Sequence, residues 1–171
     1  MSGGGTAIAV DAVGGDHAPD AVVEGAITAL SRDPSLAVLL VGPEHVVADA
    51  AKGVERLSPV VATEVIEMEE SPTQAVRTKR DSSIAVGCRR VKEGKAAGFF
   101  SAGNTGAVLA AGTLAIGRIP GVSRPAIGAV FSSSSRRDFL RATAMAPAAI
   151  TPVATEVGTS RNPSGTCMRT A

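Results

Sequence analysis

Short, continuous apolar runs alternating with helix-like stretches constrain this chain more than any other feature. Thr6–Val10 and Leu36–Val41 are apolar, contain β-branched residues and have the length of buried strands. Between them Pro19 opens a helix running through Leu30. Asp20 and Glu24 lie near its positive end, and Val22, Val23, Ala26, Ile27 and Leu30 share one side. Gly42-Pro43 closes the second run and starts a short helix toward Ala51. Val60–Ile66 is a weaker strand, Ser71-Pro72 opens a helical segment, and Ser82 or Ser83 caps another reaching Val91 to Gly94. Ala96–Phe100 then reads as a strand, Thr105–Leu114 as a helix and Ala126–Phe131 as a fifth strand. Strands that are apolar on both faces and separated by helices imply a parallel sheet covered on both sides, with right-handed crossovers. The expected class is α/β: a three-layer, doubly wound, mostly parallel sheet.

Composition narrows the functional classes. The chain has 171 residues, enough for one ordinary domain, and its apolar content is almost entirely aliphatic. It contains no Trp, no Tyr and only four Phe, so it offers few stacking platforms for nucleic acid. The net charge of +1 supplies no broad field for a polyanionic partner. Cys88 and Cys167 lack metal-like or CxxC spacing, which fits idle thiols in a reducing cytoplasm. Met1-Ser2-Gly3-Gly4-Gly5 lacks the features of a signal peptide, and the longest apolar stretch, Ala107 to Ile116, is too short to span a bilayer. A soluble, cytoplasmic protein is expected.

Three loops hold the chemistry-bearing residues. Asp11-Ala12-Val13-Gly14-Gly15-Asp16-His17-Ala18-Pro19 follows the first strand. Paired glycines let backbone approach a ligand, Asp11 and Asp16 can orient a group, and His17 can exchange a proton near neutral pH. The spacing is not that of a dinucleotide fingerprint. Ser71 to Ser83 combines Arg77, Lys79 and Arg80 with Asp81, Ser82 and Ser83. This mixture can recognise a phosphate, but on composition alone a solvated charge run with an Arg77–Asp81 helix pair is the better reading. Ser101-Ala102-Gly103-Asn104-Thr105-Gly106-Ala107 joins a strand to a helix. There free amides and the helix dipole favour an anion, which Ser101, Asn104 and Thr105 can also bond, although Asn and Thr equally cap ordinary turns.

These three segments together resemble the phosphate acyltransferase family of bacterial phospholipid synthesis (acyl-acyl carrier protein:phosphate acyltransferase). Asp11–Pro19 is similar to that family's D-A-M-G-G-D-x-x-P start, with Val13 where Met is usual. Glu67-Met68-Glu69-Glu70-Ser71-Pro72 through Arg77-x-Lys79-Arg80-Asp81-Ser82-Ser83 resembles its central signature, with Arg80 where a second Lys is common. Ser101–Ala107, Gly117-Arg118-Ile119-Pro120-Gly121 and Arg124-Pro125-Ala126 resemble further blocks in the same order. The resemblance implies a fold similar to phosphotransacetylases and the isocitrate/isopropylmalate dehydrogenases. It implies attack of inorganic phosphate on the thioester of an acyl-acyl carrier protein, giving acyl phosphate and free carrier. It implies no metal or organic cofactor, a homodimer in full-length members, and peripheral contact with the membrane.

In that reading the amides of Gly103 to Gly106, with Ser101, Asn104 and Thr105, bind phosphate or the oxyanion. Lys79 and Arg80 neutralise charge, and Asp16 or His17 orients a reactant or protonates the leaving thiolate. Asp11, Gly14, Gly15, Asp81, Ser82 and Ser83 complete the substrate site. The resemblance covers roughly residues 6–130, so residues 1–131 are expected to form the acyltransferase-like part and 132–171 a divergent, partly disordered tail. Family members are longer, and the change of character after Phe131 suggests a truncated or frame-shifted reading, with the sheet incomplete on its C-terminal side. Two other readings follow: an inactive fragment that binds phosphate or self-associates, and a different α/β transferase using phosphate or nucleotide.

Overall fold

The computed structural model describes residues 6–127. Four strands form one parallel sheet: β1 (Thr6–Asp11), β2 (Leu36–Gly42), β3 (Leu57–Val61) and β4 (Gly98–Phe100), in the order β3-β2-β1-β4. Helices fill the connections: α1 (Asp20–Arg32), α2 (Glu44–Ala51), α3 (Pro72–Thr78), α4 (Ser83–Lys92) and α5 (Thr105–Ala115). The expected α/β class and parallel sheet are present. The chain walks outward from β1 to β3, then returns to the other side of β1 with β4, so the strand order reverses between β1 and β4.

The apolar strands explain the layers. Val10, Ala12, Val38, Leu40 and Leu57 meet Ala26 and Leu30 of α1 and Val47 of α2 on one face. Ala9, Val41, Val60, Ala62 and Ala96 meet Val86 of α4 on the other. A third cluster, with Ile66, Ala75, Val76, Ile84, Cys88, Ala107 and Ala111, joins α3, α4 and α5. Small aliphatics permit this closeness: beneath Phe99, α4 presents Gly87, where a Cβ would sit 2.1 Å from the ring's Cε2.

The weaker strand was expected over Val60–Ile66 and is found earlier, at Leu57–Val61. Its register places Pro59 opposite Leu40, and an edge strand tolerates the missing N–H of proline. After Ala62 the chain departs, leaving only an isolated bridge between Glu64 and Ser82. Just before β3, Arg56 adopts a left-handed φ of 64°. Its guanidinium donates to the carbonyls of Leu30 (2.7 Å), Asp33 (2.9 Å) and Leu36 (2.7 Å), tying the end of α1 to the start of β2. Ala126 and Ile127 belong to no element, and the rest of the expected fifth strand lies outside the described residues, as does the segment 132–171.

Gly87→Ala tests the close approach of α4 to β4. Alanine in an exposed helix interior gains roughly 0.5–1 kcal/mol over glycine. Here the Phe99 ring must move, which costs about 1–3 kcal/mol. The variant is therefore less stable, read as a lower urea midpoint.

Candidate functional site

The reversal of strand order sets the β1–α1 loop beside the β4–α5 loop at the carboxyl edge of the sheet, the usual ligand position in open α/β folds. Asp11, only 2% exposed, ends β1 there. Its Oδ2 accepts from Ser101 Oγ at 2.7 Å, its Oδ1 accepts from Val13 N at 3.2 Å, and Ser101 Oγ accepts from Gly103 N at 3.1 Å. Gly14 is wedged into this junction: a Cβ would lie 2.6 Å from Asp11 Oδ2, 2.7 Å from Ser101 Oγ and 2.9 Å from Gly103 N. Gly15 takes a φ of +104° against Ala102. The structure thus brings together Asp11, Gly14, Gly15, Ser101 and Gly103, ninety residues apart along the chain.

Asp16 and His17 are exposed on the same loop. They border a largely apolar cleft of about 760 Å³ whose walls include Ile8, Val10, Val22 and Phe100.

Asn104 ends the second loop and caps α5. It is 6% exposed, and its Oδ1 accepts from Ala107 N at 3.0 Å. Its Nδ2 donates to the carbonyls of Glu67 (3.2 Å), Met68 (3.1 Å) and Glu70 (3.2 Å). Both amide N–H groups are engaged within the chain. With Ala107 N–H taken by the cap, Thr105 and Gly106 supply the α5 amides that have no intrahelical acceptor. Gly106 also admits α3, since a Cβ there would lie 2.7 Å from Pro72 Cγ.

Lys79 reaches the same 65–70 segment from the end of α3. Its Nζ donates to Val65 O and to Glu70 Oε2, both at 2.7 Å. The Lys79 hydrogen bond, with a second from Glu67 N, holds the Glu70 carboxyl below its usual value of 4.5. Sequence reasoning gave Glu70 no role. Its partners are Lys79 and the segment folded back over it, and only the tertiary fold brings them together.

The remaining central residues are engaged elsewhere. Arg80 is exposed, and its carbonyl accepts from Arg89 at 2.8 Å. Asp81 Oδ2 accepts from Thr63 Oγ1 (2.7 Å) and Thr63 N (3.1 Å), and these bonds hold its carboxyl below 3.8. Ser82 is fully buried as the α4 cap, donating to Lys79 O at 2.9 Å and accepting from Ala85 N at 3.3 Å. Ser83 is 1% exposed, and its N–H donates to Glu64 O at 3.2 Å. Burial pushes the Cys88 thiol up to about 11, so it stays protonated at neutral pH. Among the described residues no group of three or more His, Cys, Asp or Glu is placed to hold a metal ion. No described helix is long and apolar enough to cross a membrane.

A doubly wound parallel sheet with two glycine-bearing loops interlocked at its reversal point defines an α/β protein, and that edge is where open sheets of this kind usually take ligands. The chain belongs to the fatty acid synthesis protein family, which matches residues 6–144 and so continues past residue 131. Relatives named phosphate acyltransferase include that of Levilactobacillus brevis, 49% identical over 131 residues, covering 77% of this chain and 38% of the relative. That of Heliobacterium modesticaldum is 50% identical over 128 residues, covering 72% and 38%. That of Exiguobacterium sp. is 48% identical over 126 residues, again covering 72% and 38%. The chain spans about two-fifths of the length of the curated relatives it matches.

Two outcomes follow from this geometry. Asn104→Ala removes the cap and strands three carbonyls, lowering stability by about 2–3 kcal/mol in a urea melt. Asn104→Asp keeps the capping oxygen but turns an acceptor toward those carbonyls, and it lowers the midpoint at least as far. Glu70 and Asp81 have lowered folded-state pKa values, so each contributes stability that is full above its unfolded pKa and lost as pH falls through its folded value. Stability measured against pH therefore drops on acidification below about pH 4, and Glu70→Gln flattens part of that drop.

Proposed function

We propose that this chain is the N-terminal, phosphate-seating part of a phosphate acyltransferase acting in phospholipid synthesis. The reaction is attack of inorganic phosphate on the thioester of an acyl-acyl carrier protein. A phosphate oxygen bonds to the thioester carbon, the C–S bond breaks, and the carrier leaves as a thiolate that takes a proton. The observation that carries this reading is the family match over residues 6–144, which includes both interlocked loops, together with the relatives bearing that name.

Phosphate dianion is already nucleophilic near neutral pH, so the site needs a strong base less than it needs a rigid cradle for anionic oxygens. The free amides of Thr105 and Gly106, the Thr105 hydroxyl and the positive end of α5 form that cradle in this reading. Asp11, Gly14, Ser101 and Gly103 fix its shape. Lys79, tied to the segment that Asn104 holds, supplies positive charge, and Arg80 adds a more distant one. Asp16 or His17 meets the leaving thiolate at the mouth of the apolar cleft, whose lining suits the first carbons of an acyl chain.

The coverage of the relatives favours one second reading: a part that binds phosphate without turning over. An assay of this chain with a long-chain acyl-carrier-protein thioester, following phosphate-dependent release of free thiol, separates the two. Release supports the acyltransferase reading for this chain. Calorimetric binding of phosphate without release supports the second, and neither signal from folded protein overturns both. In an active relative, replacing the residue aligned with Thr105 by Val lowers kcat/KM for phosphate about tenfold, the worth of one good hydrogen bond.

A further inference from the structure

We propose that Glu70 is a positioning residue that holds the first turn of α5, the phosphate cradle of the reading on which this inference rests. Glu70 is bonded in two directions. Its carboxylate Oε2 accepts from Lys79 Nζ at 2.7 Å and from Glu67 N at 2.8 Å. Its carbonyl accepts from Asn104 Nδ2 at 3.2 Å, the same amide that caps α5 through Ala107 N. The Glu70 side chain therefore ties the end of α3 to the 67–70 backbone, and the Asn104 side chain ties that backbone to the start of α5. Ile66 anchors the segment from below, packed in one cluster with Ala75, Val76, Ala107 and Ala111.

An exposed Lys–Glu pair is usually worth little, because water solvates both partners as well as each solvates the other. This pair differs in what its partners hold. Lys79 also donates to Val65 O, and the Glu70 oxygen also satisfies a main-chain N–H, so the contact closes the 65–70 segment into the loop that Asn104 reads. The hydrogen-bonding oxygen matters here more than the charge. Glu70→Gln keeps an acceptor for Lys79 and Glu67 N, whereas Glu70→Ala removes it and leaves Lys79 with its full charge exposed.

Positioning and charge competition thus predict opposite results. If Glu70 merely masked Lys79, its removal would tighten phosphate binding. If it holds the α5 turn, its removal loosens that binding although the local charge becomes more positive. The test uses the full chain as wild type, Glu70→Ala and Glu70→Gln, with amide hydrogen exchange at residues 67–70 and 104–107 and calorimetric titration with inorganic phosphate.

Expected for Glu70→Ala are exchange about tenfold faster at Ala107 and phosphate affinity about tenfold weaker, with Glu70→Gln near wild type in both. Unchanged exchange at 104–107 in Glu70→Ala overturns the proposal. So does tighter phosphate binding in both variants, or a Gln variant as impaired as the Ala variant. Faster exchange with no phosphate heat from any of the three proteins supports the positioning contact and overturns the phosphate reading instead.

Discussion

The pairing of β1 with both β2 and β4 is the constraint on which the rest of this structure depends. Parallel ladders run from Thr6 to Asp11 on one side and from Ile8 to Val10 on the other. They place the two glycine-bearing loops side by side at one end of the sheet. The helices cannot choose that arrangement; they cover the faces the strands present. With β4 on the other side of β2, Ser101 would not meet Asp11, and the two glycine-bearing loops would be separate turns.

Around that pairing the polar groups act mainly as carpentry. Asp11 holds Ser101, Asn104 holds three carbonyls, Lys79 holds Glu70, and Asp81 holds Thr63. Residue types associated with anion binding are here used first to shape the backbone. The amides left over, at the start of α5, are those that shaping exposes. Loops built this way keep their shape without a ligand, because the bonds that fix them lie within the chain.

The fold was largely legible because its strands are short aliphatic runs punctuated by Gly, Pro and Ser. Leu36–Val41 and Thr6–Val10 could scarcely be anything else in a chain of this composition. β3 was misplaced by three residues at its start because Pro59 reads as a break, and only its edge position makes proline acceptable there. The cap at Asn104 was legible from local pattern, as was the cap at Ser82. The other half of Asn104's work was not, since its three carbonyl partners lie more than thirty residues earlier. Glu70 stood in the quoted signature without a role, because a carboxylate in an acidic run does not show that it bonds Lys79 across α3. Asp81, Ser82 and Ser83 look like phosphate ligands in the sequence, and the structure has them bonded to Thr63, Lys79, Ala85 and Glu64.

The span of ninety residues between Asp11 and Ser101 has a consequence for the order of assembly. Closing a chain loop of that length costs on the order of 4 kcal/mol of entropy, more than one hydrogen bond returns. The bond must therefore follow the docking of β4 on β1. During synthesis the first strand and its glycine turn leave the ribosome long before Ser101 exists. Until then Asp11 Oδ1 can already accept from Val13 N within its own turn, while Oδ2 gains its Ser101 partner only once β4 has joined β1.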